Sequence, residues 1–359
     1  MNAVAAGAGV AAERHEIVAL ARELSRRELA PLALALDERR PGAFEAAWTP
    51  IAEAGYDRAL LAVEDGGVGL DVGLFLLCLE EIGSGDAGVA LVVLLANAAL
   101  AAMPPVRAAQ VAEAERWVLV PVPSDRLVTP AQLAFGVEPD GRTVIAGMLS
   151  PSLGALGADG IVIVKGGEEP AVLVLAADTP ELRIGSCEHQ LGLRSAASAR
   201  ISLSGAMAEA ATDHATAGAA ATASLCLLHA GCAAIARGIT RRARDMAFEY
   251  AQARSQGGVA IVEHGAVRQM LAAMSVGLAT VPVQIGAVLD ETATLAAKVA
   301  ASDAAAAAST DAVQIFGGAG YMHETGVEKL MRDAKYLQLW PEPNWMADDR
   351  IIDSELGRR

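Results

Sequence analysis

Glu342 stands between Pro341 and Pro343 in the run Trp340-Pro341-Glu342-Pro343-Asn344. A carboxylate can take a proton from a weak carbon acid, but one flanked by two prolines reads first as an exposed loop residue. His229, alone in an Ala/Leu-rich stretch, reads as a hydrogen-bonded core histidine, with a polar role in a substrate pocket as the alternative. Gly317-Gly318-Ala319-Gly320 could let backbone N–H groups approach a phosphate, yet it follows a helical segment and not a strand, so it is no dinucleotide fingerprint. The four cysteines, Cys78, Cys187, Cys226 and Cys232, form no C-x-x-C pair and no His/Cys ligand spacing. They argue against structural zinc and a redox dithiol, and read as scattered core thiols in a reducing cytoplasm.

Elements that could position these groups follow from periodicity. From about Glu13 to Leu100, apolar residues recur at three-four spacing, as in Ile17, Leu20, Ala21 and Leu24, and predict an N-terminal helical domain over 1–115. Short β-branched runs at Trp117-Val122, Val144-Ile145, Gly160-Val164, Ala171-Leu175 and Ala199-Leu203 predict an antiparallel β-domain over 116–208. Ala-rich helical segments at Ala215–Ala253, Val267–Leu289 and Thr292–Val313 predict a helical bundle over 209–359. The fold class is therefore mainly α with a central β-domain.

Composition removes several functions. With 28 Lys plus Arg against 43 Asp plus Glu, the net charge is −15, and an acidic surface repels nucleic-acid phosphates. The apolar stretch Ala87 to Val106 approaches membrane-spanning length, but it follows Glu80-Glu81, ends in Pro104-Pro105 and has no basic flank, so it reads as a buried core helix and no membrane partner is expected. The N-terminus has no basic region ahead of its apolar residues, which predicts no signal peptide.

Gln314-Ile315-Phe316-Gly317-Gly318-Ala319-Gly320-Tyr321, followed by Arg332-Asp333-Ala334-Lys335, resembles the Q-I-x-G-G-x-G-Y…R-D-A-K signature of the acyl-CoA dehydrogenase family. Glu64-Asp65-Gly66-Gly67-Val68-Gly69, Leu191-Gly192-Leu193-Arg194, and Tyr250-Ala251 with Arg254 and Gln256 resemble further family motifs, so the likeness spans nearly the whole chain. It implies an N-terminal helical domain, a β-domain and a C-terminal four-helix bundle, with FAD in a cleft completed by a neighbouring subunit. It also implies a Glu that removes the α-proton of an acyl-CoA thioester, and an electron-transfer flavoprotein as electron acceptor.

The chain departs from that pattern at the base. Aligned from Arg332-Asp333-Ala334-Lys335, the family's catalytic Glu falls on Pro341; the alternative base position on the first long helix of the bundle falls on Leu228, beside His229. Elements that hold the protomer's own isoalloxazine fall on Val120-Pro121-Val122-Pro123 and Pro151-Ser152-Leu153, and a pyrophosphate-contacting Thr falls on Pro343. His264, where the family has an aromatic residue, reads as packing. Arg254, Gln256, Gln314, Gly317, Gly318 and Gly320 match the elements that reach a neighbour's FAD. The resemblance thus implies a subunit of a heteromeric dehydrogenase, as for steroid side-chain CoA thioesters. Such a subunit completes the FAD site of a catalytic partner subunit and lacks its own base. The alternatives are a homo-oligomeric enzyme using Glu342 or performing non-redox acyl-thioester chemistry, and a flavin-free structural subunit.

Overall fold

The computed structural model describes residues 2–112, 115–122, 132–137, 142–166, 169–210, 214–281 and 290–357. Its first part is helical: α1 (Asn2–Leu24), α2 (Ala33–Asp37), α3 (Ala43–Glu53), α4 (Val72–Gly85), α5 (Ala87–Ala102) and α6 (Pro105–Ala112). Asp71 and Asp86 start α4 and α5 by accepting from the N–H groups of Leu74 and Val89, each at 2.9 Å, so both helices begin on a satisfied cap. Leu91, Leu94 and Leu95 of α5 are wholly buried, as expected for a core helix. Asn97, also wholly buried on α5, is not stranded: it bonds Leu60 N, Tyr56 O and Val93 O.

The middle strands are β1 (Trp117–Val122), β2 (Gln132–Val137), β3 (Thr143–Ser152), β4 (Gly160–Lys165), β5 (Ala171–Ala176), β6 (Leu182–Cys187) and β7 (Ala199–Ala210). They form one sheet in the order β1-β4-β5-β7-β3-β2, with β6 also on β7. The expectation of an antiparallel sheet needs one correction, because β1 and β4 pair in parallel from Trp117↔Gly160 to Val122↔Lys165. Nearly forty residues separate these strands in sequence, enough chain for the crossover that a parallel pair requires. Gly160 is obligatory in that register, since a Cβ there would lie 2.3 Å from the Trp117 ring. Strands β2 and β6 escape sequence reading: Leu182-Arg183-Ile184-Gly185-Ser186-Cys187 is half polar and Gly-interrupted, and it is a strand because β7 supplies the partner.

The last part holds α7 (His214–Ala253), a hairpin of β8 (Ser255–Gln256) and β9 (Val259–Ala260), α8 (Gly265–Thr280), α9 (Glu291–Phe316), α10 (Val327–Leu337) and α11 (Asn344–Glu355). Part of the segment expected to continue to Leu289, residues 282–289, lies outside the described residues. By length and composition α7 could cross a bilayer, but 72% of its most apolar window is buried inside the protein. Arg237 and Arg241 of α7 pair with Glu80 and Glu81 of α4, which explains how these two carboxylates are buried in the core.

The second half of the signature holds the three parts together. Arg332 on α10 binds Asp37 at 2.7 and 3.0 Å and donates to Leu191 O at 2.9 Å. Asp333 accepts from Leu193 N at 2.6 Å and from Lys329 at 2.6 Å, and Lys329 also pairs with Asp86 at 3.0 Å. A Cβ on Gly192 would sit 2.1 Å from Arg332 O, so only glycine permits the approach. Burial raises the Asp333 carboxyl above the usual range, with Asp86 adding to the rise against the pull of Lys329.

Candidate functional site

A cavity of about 470 Å³ opens between the sheet and the bundle. Leu119, Pro121 and Val122 of β1 and Val164 of β4 form one wall; Thr222, Leu225 and Leu228 of α7 form another; Glu342, Arg350 and Glu291 close one side. Strand alternation and a helical three-four stripe bring these residues to one place. A long apolar surface thus meets a small charged cluster.

Glu342 is not the exposed loop carboxylate expected from its two prolines. It is 1% exposed, and it lines the cavity together with Leu228, one of the two family base positions. Arg350 reaches both carboxylate oxygens from Nη1, at 2.9 and 2.7 Å, and pairs with Glu291 through Nη2. Lys298 of α9 donates to Glu342 O and to Asn344 Oδ1, both at 2.6 Å. Asn344 in turn donates to Ser302 Oγ and Asp303 Oδ1, so the turn is clamped to α9 on both sides of Pro343. Lys298 itself is wholly buried, and burial pushes its ammonium down to about 8. Sequence reasoning missed Lys298. Its signal was a lone Lys at three-residue spacings from Leu295 and Ala301, on the buried stripe of an Ala-rich helix.

His229 also corrects its expectation. It has no exposed surface, but neither ring nitrogen has a hydrogen-bond partner, and Nε2 lies 3.8 Å from Glu342 Oε1. Burial, with Arg350 and Lys298 nearby, lowers its pKa to about 3, so the ring is neutral.

The second group of expected site residues gathers at the far end of α7. Gly257 and Gly258, with φ of +65° and +86°, make the tight turn of the β8–β9 hairpin that carries Gln256. Ile261 N bonds Arg254 O at 2.8 Å and closes it. His264 is exposed and not packed; its Nε2 lies 3.2 Å from Gln256 O. Tyr250, one turn before Arg254, stacks on Phe316 at 4.2 Å, which sets the end of α7 beside the glycine loop that follows α9. Arg254, Gln256, Gln314, Gly317 and Gly318 are exposed. Gly317 needs its lack of side chain, with φ +60° and ψ −136°. Gly320 differs from them: it is buried, and a Cβ would meet Val313 O at 2.5 Å, so it serves packing and not ligand approach.

The two groups are far apart within the chain. Leu228 lies on α7 and Arg254 directly follows its last residue, 26 positions on, about 39 Å along the helix axis at 1.5 Å per residue. Of the β-domain residues expected near a flavin, Pro121 and Val122 line the cavity, Pro123 lies outside the described residues, and Ser152 has a buried hydroxyl with no partner.

Comparison with known proteins gives this arrangement its family. Residues 11–119 match the acyl-CoA dehydrogenase N-terminal domain, and residues 216–341 match the acyl-CoA dehydrogenase C-terminal domain. The chain belongs to the acyl-CoA dehydrogenase family. It is similar to cyclohex-1-ene-1-carbonyl-CoA dehydrogenase of Geobacter metallireducens, 29% identical over 90% of this chain and 93% of that protein. Butyryl-CoA dehydrogenase of Megasphaera elsdenii shares the fold, with a TM-score of 0.83 at 21% identity over 96% of this chain and 98% of that one. So does PigA, solved with FAD and proline, with a TM-score of 0.83 at 18% identity over 96% and 97%. In this acyl-CoA dehydrogenase family chain the matched C-terminal region ends at Pro341, one residue before Glu342.

Proposed function

We propose that the protein carries out FAD-dependent α,β-dehydrogenation of an acyl thioester at a site shared between chains, with Glu342 as the carboxylate of its own cavity. The observation that carries this reading is a buried carboxylate on the wall of a cavity at the sheet–bundle junction, where apolar strand and helix residues meet a charged cluster. An acyl chain gains from the apolar wall. A thioester α-carbon is a weak acid, so the carboxylate that takes its proton must be held in place against it. Arg350 orients Glu342 through both carboxylate oxygens, and each oxygen retains lone-pair capacity.

FAD fits the chain's open end. Arg254 has no side-chain hydrogen bond or ion pair among the described residues, and no atom lies within 4 Å of a Cβ built on Gly317 or Gly318. A diphosphate could take charge-assisted bonds from the guanidinium and N–H groups from the glycines. When bound, the flavin supplies the hydride acceptor. Because that end lies about 39 Å along α7 from Leu228 beside the cavity, these residues would serve a neighbouring chain's cavity. The four free thiols fit a reducing cytoplasm.

Glu342→Gln tests this directly. Turnover of an acyl-CoA by the wild-type chain should fall by about a thousandfold or more, with folding unchanged. A second reading, favoured by Pro341 and Pro343 at positions where the family pattern has donors, is the heteromeric one. There the base lies in a catalytic partner subunit, the substrate class is a bulky steroid side-chain thioester, and this chain contributes the diphosphate end. Full activity of a co-purified complex bearing Glu342→Gln would select that reading.

A further inference from the structure

The strongest unexplained feature beside the cavity is the wholly buried His229 with two unpartnered ring nitrogens. A buried polar group without a partner is costly, so its place needs a reason. Gly218, Thr222 and Leu225 line the cavity, and His229 follows them at four-, three- and four-residue spacing on the same face of α7. Nε2 then lies 3.8 Å from Glu342 Oε1, and Glu342 lines the cavity while His229 does not.

In the tautomer that carries its proton on Nδ1, the neutral imidazole presents an Nε2 lone pair, so it and an ionised carboxylate are both acceptors and stay unbonded at 3.8 Å. One added proton changes this: a protonated Glu342 can donate O–H to Nε2. We propose that His229 is a positioning residue that receives a hydrogen bond from Glu342 once Glu342 has taken a proton from the ligand in the cavity, the two forming a one-proton dyad. This rests on the reading of Glu342 as the base. In the step, the substrate Cα–H bond breaks, its proton joins Glu342 Oε1, and the electron pair stays with the substrate. The new O–H then points at Nε2. No second proton is needed and none leaves the pair.

Charged groups around the dyad come from three elements. Arg350 on α11 binds the carboxylate, with Glu291 of α9 beyond it; Lys298 on α9 holds the Glu342 carbonyl; Cys232 lies one turn along α7. Arg350 attracts the ionised carboxylate, and an acceptor waiting for the protonated form acts in the opposite sense.

The test compares wild type, His229→Gln, His229→Leu, Glu342→Gln and Glu342→Leu, each as the full chain. His229→Leu removes the acceptor, so plateau kcat should fall about tenfold with KM little changed, whereas His229→Gln keeps an amide oxygen that can accept and should retain most of the activity. Histidine labelled with ¹⁵N gives a readout independent of turnover. Acidification of the wild type should shift one His229 nitrogen from a free acceptor to a hydrogen-bonded one. Glu342→Leu should abolish that shift. If Glu342→Gln leaves turnover intact, the base reading fails. If it abolishes turnover while His229→Leu keeps the wild-type kcat, or the wild-type ring shows no such shift, the dyad is refuted and the base reading stands. Should the His229 variants fail to fold, the wild-type ring nitrogens still decide.

Discussion

Lys298 holds a buried ammonium against its natural preference, and that has a measurable sign. Its pKa is lowered from the ordinary 10.5 to about 8. Between those values the unfolded chain binds a proton that the folded chain does not, so this residue's contribution to stability rises with pH from about 8 to about 10.5 and is flat below. Lys298→Met removes the titrating group. The wild-type-minus-variant difference in unfolding free energy, measured by urea denaturation across pH 7 to 10.5, should rise through that window. A flat difference would place the ammonium in a better-solvated setting. The same substitution unfastens Glu342 O and Asn344 Oδ1, so turnover should drop as well. Glu342 itself was only half legible in the sequence. Its chemistry was plain, but its burial depends on Lys298, forty-four residues upstream, and on Arg350, neither of which local patterning joins to it.

Among the elements, α10 makes the connection that composition hides. Lys329 lies between Asp86 of the N-terminal helices and Asp333, while Asp333 holds the Leu193 N–H of the β-domain. Lys329→Met would leave two buried carboxylates facing each other without a cation, which costs about 3–5 kcal/mol. Equilibrium unfolding should show that loss, and Lys329→Met with Asp333→Asn should recover part of it, because the repulsion goes with the second charge. A Lys329→Met protein as stable as wild type would show that the junction is not needed. Helices such as α5, α7 and α9 were readable because their apolar period is long and unbroken. Strand β6 and the parallel β1–β4 pair were not, because each is decided by a partner strand distant in sequence. The L-G-x-R and R-D-A-K matches pointed to a family, but their physical work is to lock three parts of the fold together.

At the scale of the molecule, the two clusters of expected site residues cannot meet on one ligand in one chain, because Leu228 and Arg254 lie 26 positions apart along α7 and the residue that follows it. That distance supports an assembly in which Arg254 and the Gly317–Gly318 loop face another chain's cavity. It also separates two roles that the sequence could not: a scaffold residue acts on stability, whereas a diphosphate ligand acts on flavin content. Arg254 is exposed and makes no side-chain bond among the described residues, so its removal should cost the isolated fold little. In the assembled protein, Arg254→Ala would remove a charge-assisted bond worth about 1.5–3 kcal/mol, lowering flavin affinity by about one to two powers of ten. Flavin per chain, measured by absorbance after gel filtration beside the melting temperature, tests this. The expected outcome is reduced flavin with a wild-type melting temperature for the flavin-free protein. Unchanged flavin affinity would overturn the shared site, because no other exposed cation on the β8–β9 hairpin or the glycine loop could replace the guanidinium, and the open end of the bundle would then be surface alone.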